Sequence, residues 1–451
     1  MSALQQPTVI GQLPISTYTV MLLGFRTNDG RDEVIMNLHR AASKVISTFP
    51  VLGGQVVLDG KDSATTTGTY RTIPYEPHSK SFVHLKDCSD ICPSLDELLA
   101  AKAPTTMLDG EILSPKRGFF HMYDPDKEVM PVFNLQANFI KGGLLLCFAA
   151  EHNCLDMNAQ GQAIRLFAAA CGEEPQPFSD VHIAAGNIDA TAVFPFLEEG
   201  EEPLEHTEMR CPSSLGHAPP TPRADAVAAP WVICRISRDN IAQLKHEASQ
   251  NLANVPYVSS DDTICAFLWK RLVLSRLVRF ADVKECTFAR TVNARRLLKL
   301  PAPEGFMSHF VVVCSSKTTV ADLETTPLAT LAQNLRRSLH NIDEHYLRSL
   351  LTTIRDEPDK TRFSYGASLK SGLDMLCSSF ANLGLQQCEF GPLLGKALFA
   401  RRPRLADAEG VVYLMPKTID GDVDVLASLR VEDVEALRRD PEWTKRVEYI
   451  G

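Results

Sequence analysis

At 451 residues the chain exceeds one ordinary hydrophobic core, which sets an expectation of two domains, each able to bury a substantial interior. Hydrophobic residues at 45% and charged residues at 22% are those of a globular protein and exclude wholesale disorder. The net charge of −9 argues against a surface built to cover nucleic acid or anionic membrane, so neither is expected as a partner.

Met1 to Ser16 shows no basic stretch followed by an apolar one, no run approaches the length of a membrane span, and no Asn-x-Ser/Thr sequon occurs. These features set the expectation of a soluble cytoplasmic protein. The twelve cysteines are scattered, Cys88 and Cys92 being the tightest pair, and Cys147, Cys265 and Cys314 lie inside apolar runs. They read as reduced, buried thiols.

After an apolar lead from Val9 to Leu23, Asn28-Asp29-Gly30 marks a turn. Val34, Ile35, Leu38, Ala41, Ala42, Val45 and Ile46 then recur at helical spacing, predicting an amphipathic helix that ends before Pro50. A strand follows from Gln55 to Leu58, a loop from Lys61 to Thr69 and a short helix from Ser94 to Leu99. Val132 to Phe148 predicts a hairpin turning at Lys141-Gly142-Gly143. Glu151-His152-Asn153-Cys154-Leu155-Asp156 comes next, where a buried strand gives way to a helix carrying Ala159, Ala163, Ile164, Phe167 and Ala168, with Asp156 placed to cap it.

Between Glu198 and Pro230 acidic residues and prolines replace large apolar ones, which marks a linker. The expected division is a first domain over 1–205, a crossover linker over 206–230 and a second domain over 231–451. The second half opens with a strand from Trp231 to Ile236 and a helix from Asn240 to Gln250. Ser259-Ser260-Asp261-Asp262 caps a helix carrying Ile264, Phe267, Leu268 and Leu272. Strands are predicted at Phe288–Val292, His309–Ser315, Cys377–Leu385 and Val411–Met415, and helices at Leu323–Leu339, Glu344–Ile354 and Val431–Arg438.

Taken alone, His152 has two readings, a satisfied histidine at a strand end or a general base able to take a proton from an attacking hydroxyl or amine. Asp156 reads as a cap or half of an ion pair, with Arg295 as a candidate partner. Gly-x-Ser-x-Gly, Gly-x-Gly-x-x-Gly, the phosphate-loop signature and His-Glu-x-x-His are absent, Cys154 reads as a small buried residue, and no metal is expected. Basic clusters occur at Arg295-Arg296-Lys299 and at Lys396, Arg401, Arg402 and Arg404. Either a solvated face or a seat for the phosphates of an anionic cofactor fits them.

His152 to Asp156 resembles the His-x-x-x-Asp motif of BAHD-type acyl-CoA-dependent acyltransferases, and Glu389-Phe390-Gly391-Pro392-Leu393-Leu394-Gly395-Lys396 is similar to their late Asp-Phe-Gly-Trp-Gly element. Phe49 to Gly54, Ser259 to Trp269 and Val292 to Arg296 resemble further family segments, so the likeness spans nearly the whole chain. It points to the fungal branch that includes the trichothecene O-acetyltransferases. Departures are Met157 for the usual Gly, Glu389 for Asp, Pro392 for Trp, and His309 where Asn is usual.

The resemblance implies an α/β fold of two chloramphenicol-acetyltransferase-like domains, each a mixed sheet flanked by helices, with the active site in a tunnel between them. It implies an acyltransferase (EC 2.3.1) moving an acyl group, acetyl first, from acyl-CoA to a hydroxyl of a small secondary metabolite; a monomer is expected, although no motif bears on the oligomeric state. His152 is then the base, Asp156 and Arg295 the support of its loop, and Lys396, Arg401 and Arg402 the candidates for the CoA phosphates. Glu389, Phe390, Gly391 and Gly395 form the late motif. N-acylation, transfer from a carrier protein in the manner of condensation domains, and a non-catalytic binding role on the same fold are the alternatives. Glu151 and Met157 count against the carrier-protein reading.

Overall fold

The computed structural model describes residues 4–27, 30–61, 66–119, 121–211, 227–253, 255–300 and 302–451. Among these the strands form sheets of five, seven and three strands, flanked by helices. The five-stranded sheet runs in the order Phe399–Arg401, Tyr18–Arg26, Gly143–Glu151, Phe133–Ile140, Val83–Asp87. Its centre is the expected hairpin, Phe133–Ile140 with Gly143–Glu151, in which every residue is buried. Burial on both faces explains why Gly143–Ala150 reads as a continuous apolar run, whereas Phe133–Ile140 alternates with Asn134, Gln136 and Asn138 buried as well. Gly142 turns the hairpin at φ +76°, a conformation that a side chain disfavours.

The helix Arg31–Thr48 presents Val34, Leu38, Ala41, Ala42 and Val45 to the core and packs against the helix Met157–Cys171. The seven-stranded sheet belongs to the second half, in the order Val311–Thr319, Glu285–Asn293, Met375–Ser379, Val411–Leu414, Val423–Ser428, Trp231–Ile236, Val447–Tyr449. Met375–Ser379 is parallel to both its neighbours and the other pairs are antiparallel. Helices Arg238–Ala248, Ser260–Arg276, Leu328–His340 and Val431–Arg439 pack together over it, with Trp269 and Phe288 in the core.

Three expectations change. The single helix over Leu323–Leu339 is two, Val320–Thr325 and Leu328–His340, because Pro327 caps the second and cannot continue the first. The strand expected to reach Leu385 ends at Ser379. The halves also exchange a strand: Phe399–Arg401 pairs antiparallel with Leu22–Gly24, completing the first sheet from the far end of the chain. Gly24 permits this crossing, since a Cβ there would stand 2.4 Å from the Phe399 ring. Asn28 and Asp29 of the expected turn, and residues 212–226 of the expected linker, lie outside the described residues.

Candidate active site

The strand Gly143–Glu151 ends against the second half of the chain, and the His152 loop is held there from both sides. Asn153 is fully buried; its Nδ2 donates to the carbonyls of Gly11 and Leu13 at 2.6 Å each, and its Oδ1 accepts from the Ser16 amide at 2.9 Å. Asp156 caps the helix Met157–Cys171 by accepting from the Ala159 amide at 2.9 Å. The same carboxylate accepts from Arg295 Nη1 at 2.8 Å, Arg295 Nη2 at 3.0 Å and the Phe310 amide at 2.7 Å.

Arg295 follows the strand Glu285–Asn293 in a helical turn, so the Asp156–Arg295 pair ties the two halves together. Both side chains are buried, at 1% and 0% exposure. Burial opposes the charge on Asp156, but the charge and hydrogen bonds of Arg295 outweigh it and hold the carboxyl below its ordinary range. Arg295 also donates to the carbonyls of Phe306 and Ser308, which fixes the segment leading to His309. Asp156 therefore points away from the His152 ring, into an ion pair.

The His152 ring lies deep in the protein but is not sealed from solvent. Its Nδ1 lies 3.3 Å from the Leu155 carbonyl. A carbonyl only accepts, so Nδ1 carries the proton and Nε2 keeps its lone pair. Burial, with His309 adding to it, pulls the imidazole pKa down to about 3, the opposing pull of Asp156 and Leu155 being weaker. His152 is thus neutral at physiological pH, the form a proton acceptor requires.

His309 belongs to the second half and stacks obliquely on His152, with ring centroids 4.8 Å apart. Its Nδ1 donates to the His152 carbonyl, and its Nε2 accepts from the Tyr365 hydroxyl at 2.6 Å. Burial depresses the His309 pKa, consistent with a neutral ring in that tautomer. Phe119 closes the other side of His152, centroids 5.7 Å apart. Sequence reasoning noted His309 only as a substitution and missed Tyr365, whose relation to the site is made by folding over more than 200 residues and carries no local signal.

Glu151 is also fully buried. Burial raises its pKa to about 8, and its Oε2 accepts from the Cys154 amide at 3.0 Å. Cys154 is buried and its thiol pKa is raised well above the ordinary value, first by burial and then by Glu151, which rules it out as a ready nucleophile.

The residues expected to meet CoA phosphates divide. Arg401 is corrected: it is 3% exposed, pairs with Asp424 at 2.7 Å and donates to the carbonyls of Lys102, Ala103 and Ala400, so its guanidinium is spent inside the protein. Arg402 is corrected too, since at 1% exposure it lies beneath the surface, its guanidinium 4.3 Å from the Tyr413 ring centre. Lys396 is exposed.

The late motif is structural. Phe390 is buried against Phe25, ring centroids 4.8 Å apart, and its amide donates to the Gly395 carbonyl at 2.8 Å. Gly391 has φ +74°, and a Cβ there would fall 2.4 Å from the Cys171 carbonyl oxygen. Glu389 and Lys396 pair as an isolated bridge across the turn closed by Gly395. Cys171 ends the 15-residue helix that Asp156 begins, so the motif braces that helix about 22 Å from the cap.

Residues 17–171 match the trichothecene 3-O-acetyltransferase-like N-terminal domain, and residues 95–444 match the Transferase family. The chain is 37% identical to the O-acyltransferase pigD of Monascus ruber, covering 98% of each chain. It is 34% identical to the trichothecene 3-O-acetyltransferase TRI101 of Fusarium sporotrichioides, covering 98% of this chain and 96% of that one. Its fold superposes on the crystal structure of F. graminearum TRI101 complexed with coenzyme A and deoxynivalenol with a TM-score of 0.90 over 99% of both chains, at 29% identity. A whole-length match, together with a histidine loop pinned between two sheets by Asp156 and Arg295, establishes that this chain belongs to the Transferase family of BAHD-type acyltransferases, in the branch of the fungal trichothecene 3-O-acetyltransferases.

Proposed function

We propose that the protein is an acyl-CoA-dependent O-acyltransferase that moves an acyl group, acetyl in the first instance, onto a hydroxyl of a small secondary metabolite. The observation that carries this reading is the state of His152: neutral, protonated on Nδ1, and set by the Asp156–Arg295 tie where the two halves meet. Nε2 takes the hydroxyl proton as the acceptor oxygen attacks the thioester carbon. The tetrahedral intermediate collapses, the C–S bond breaks, and the departing thiolate regains the proton from the imidazolium. No acyl-enzyme is needed, consistent with the buried, unactivated Cys154. Asp156 and Arg295 are positioning residues, since neither reaches the reacting atoms.

O-transfer is supported over N-transfer by relatives named as O-acyltransferases and O-acetyltransferases. Of the residues expected to hold CoA phosphates, Lys396 alone remains exposed for that contact. We assign residues 1–205 to the first domain, 206–230 to the linker and 231–451 to the second domain, which lends Phe399–Arg401 to the first sheet. No described helix is long and apolar enough to cross a membrane. We further propose a cytoplasmic monomer with acyl-CoA and an acceptor alcohol as its partners; the net charge of −9 argues against nucleic acid or an anionic membrane as a partner. The test is incubation with acetyl-CoA and a panel of hydroxylated metabolites, following free thiol, repeated with His152→Ala. Acceptor-dependent thiol release that persists in the variant refutes His152 as the base.

A further inference from the structure

The base is tied firmly by its backbone and loosely by its ring. The His152 amide donates to the Thr17 carbonyl at 2.8 Å, and its carbonyl accepts from His309 Nδ1, so a residue of each half holds it. The imidazole bonds through Nδ1 to the Leu155 carbonyl, and at 3.3 Å that bond is long. Among the described residues no carboxylate hydrogen-bonds the ring, since both oxygens of Asp156 are turned to Arg295. A base has to present its lone pair in one direction, so further contacts must set the angle of this ring.

His309, which replaces the usual Asn, supplies them. Its ring lies 4.8 Å from that of His152, tilted by 48°, and is itself fixed. It is fully buried, and its carbonyl accepts from Thr8 Oγ1 at 2.7 Å. On either side of it the Ser308 carbonyl accepts from Arg295 and the Phe310 amide donates to Asp156 at 2.7 Å. The Tyr365 hydroxyl lies 2.6 Å from His309 Nε2 and 3.1 Å from the Val311 carbonyl, with one proton to give. Given to Nε2, it leaves His309 neutral with its own proton on Nδ1, the form that can donate to the His152 carbonyl. Given to Val311, it would leave Nε2 unpaired in the interior or protonated, and an imidazolium would then face the ring that must itself become positive during the reaction. Burial disfavours that charge on His309 and keeps the Tyr365 hydroxyl protonated, available as the donor.

We propose that His309 and Tyr365 are positioning residues for acyl transfer: the Tyr365 hydroxyl fixes the His309 tautomer, and the His309 ring and its Nδ1–H hold the His152 imidazole at the angle from which Nε2 meets the acceptor hydroxyl. The inference rests on the acyl-transfer reading above. It divides the work around the base between two units. The Asp156–Arg295 pair sets where the loop stands, and the His309–Tyr365 pair sets which way its histidine faces. No proton passes through the second pair and neither member meets the reacting atoms. Their effect falls on how often the lone pair is aimed, and hence on kcat and not on acyl-CoA binding.

Two measurements test this, and one needs no turnover. Nitrogen NMR of protein isotopically labelled at histidine reads which ring nitrogen carries the proton, with signals assigned from single variants. The parent should show His152 and His309 each protonated on Nδ1 alone. His309→Leu should leave His152 in a mixture of tautomers and lower kcat by about 10²-fold, with KM for acetyl-CoA within about twofold. His309→Asn puts an amide N–H where Nδ1 stood, so it should keep His152 in one tautomer and hold kcat within about fivefold of the parent. Tyr365→Phe should move the unprotonated nitrogen of His309 downfield, as loss of a hydrogen bond does, and carries the test should the His309 variants not fold. The proposal is overturned by a parent His309 protonated on Nε2, by a His309→Leu protein with parental kcat, by an Asn variant that loses as much as Leu, by losses that fall on KM, or by an unmoved His309 signal in Tyr365→Phe. A parent that shows both tautomers, with that of His152 lost in His309→Leu, yet acylates no hydroxylated acceptor fails the functional reading and leaves the positioning assignment standing.

Discussion

Replacing Asp156 by Asn tests whether the loop carrying His152 is held by charge or merely by shape. One oxygen of the carboxylate accepts from Ala159 and Arg295 Nη2, the other from Arg295 Nη1 at 2.8 Å and the Phe310 amide at 2.7 Å. An asparagine oxygen can serve one of these pairs, and its amide must then face two donors. Arg295, with no exposed surface, is left uncompensated. Breaking a buried pair in this way costs about 3–5 kcal/mol. With each half the size of a large domain, that corresponds to a fall in melting temperature of roughly 6–20 °C.

Differential scanning calorimetry of the parent, Asp156→Asn, Arg295→Met and the double variant is the assay. The double variant should be more stable than the sum of the single losses by more than about 1 kcal/mol, because it removes the stranded charge. The pH dependence supplies an independent sign. Asp156 has a folded pKa below its unfolded value, so its stabilisation is present above the unfolded pKa, near 4, and disappears as pH falls through the folded one. The gap between parent and Asp156→Asn should accordingly narrow on acidification below about pH 4. Additive losses, or a gap constant from neutral pH to pH 3, would show that the ion pair does not hold the loop.

His152→Ala should lower kcat/KM by about 10²–10⁴, and the parent profile should stay level down to about pH 5 instead of dropping near 6.5, because the base titrates near 3; stopped-flow thiol detection over pH 5–9 reads both. The Glu151 carboxyl is raised to about 8, so the folded protein holds a proton that the unfolded chain releases above about pH 4.5, and parent stability should decline from pH 4.5 to 8. Glu151→Gln, compared by urea denaturation across that range, should remove this part of the slope and keep activity. Gly391→Ala should cost more than about 2 kcal/mol, since it demands a positive φ and drives a Cβ into the Cys171 carbonyl; a loss within 0.5 kcal/mol in the same assay refutes that reading of the late motif.

The site was legible where one short segment states both its structure and its chemistry. His152 to Asp156 sits between a continuous apolar run and a helical pattern, so strand end and cap were visible together with a candidate base, and Arg295 stood out because it directly follows a strand. Arg401 and Arg402 misled because adjacent basic residues look alike on a surface and in a core; only the fold shows that one meets Asp424 and the other Tyr413. Phe399–Arg401 could not be read as a strand, being three residues long with partners at Leu22–Gly24. Local propensity has no access to a partner so distant.

That exchanged strand also bears on how the protein comes to exist. Leu22 and its partner Arg401 are separated by roughly 380 residues, which a ribosome takes about 20–75 s to add at 5–20 residues per second. Throughout that interval the newly made first half leaves Leu22–Gly24, the stretch of Tyr18–Arg26 that Phe399–Arg401 later covers, as an unpaired edge. A nascent chain in this condition invites chaperone binding or pairing with a neighbour. A fragment cut within 206–230 would keep that open edge permanently, so coexpressed halves should recover more soluble protein than the first half alone.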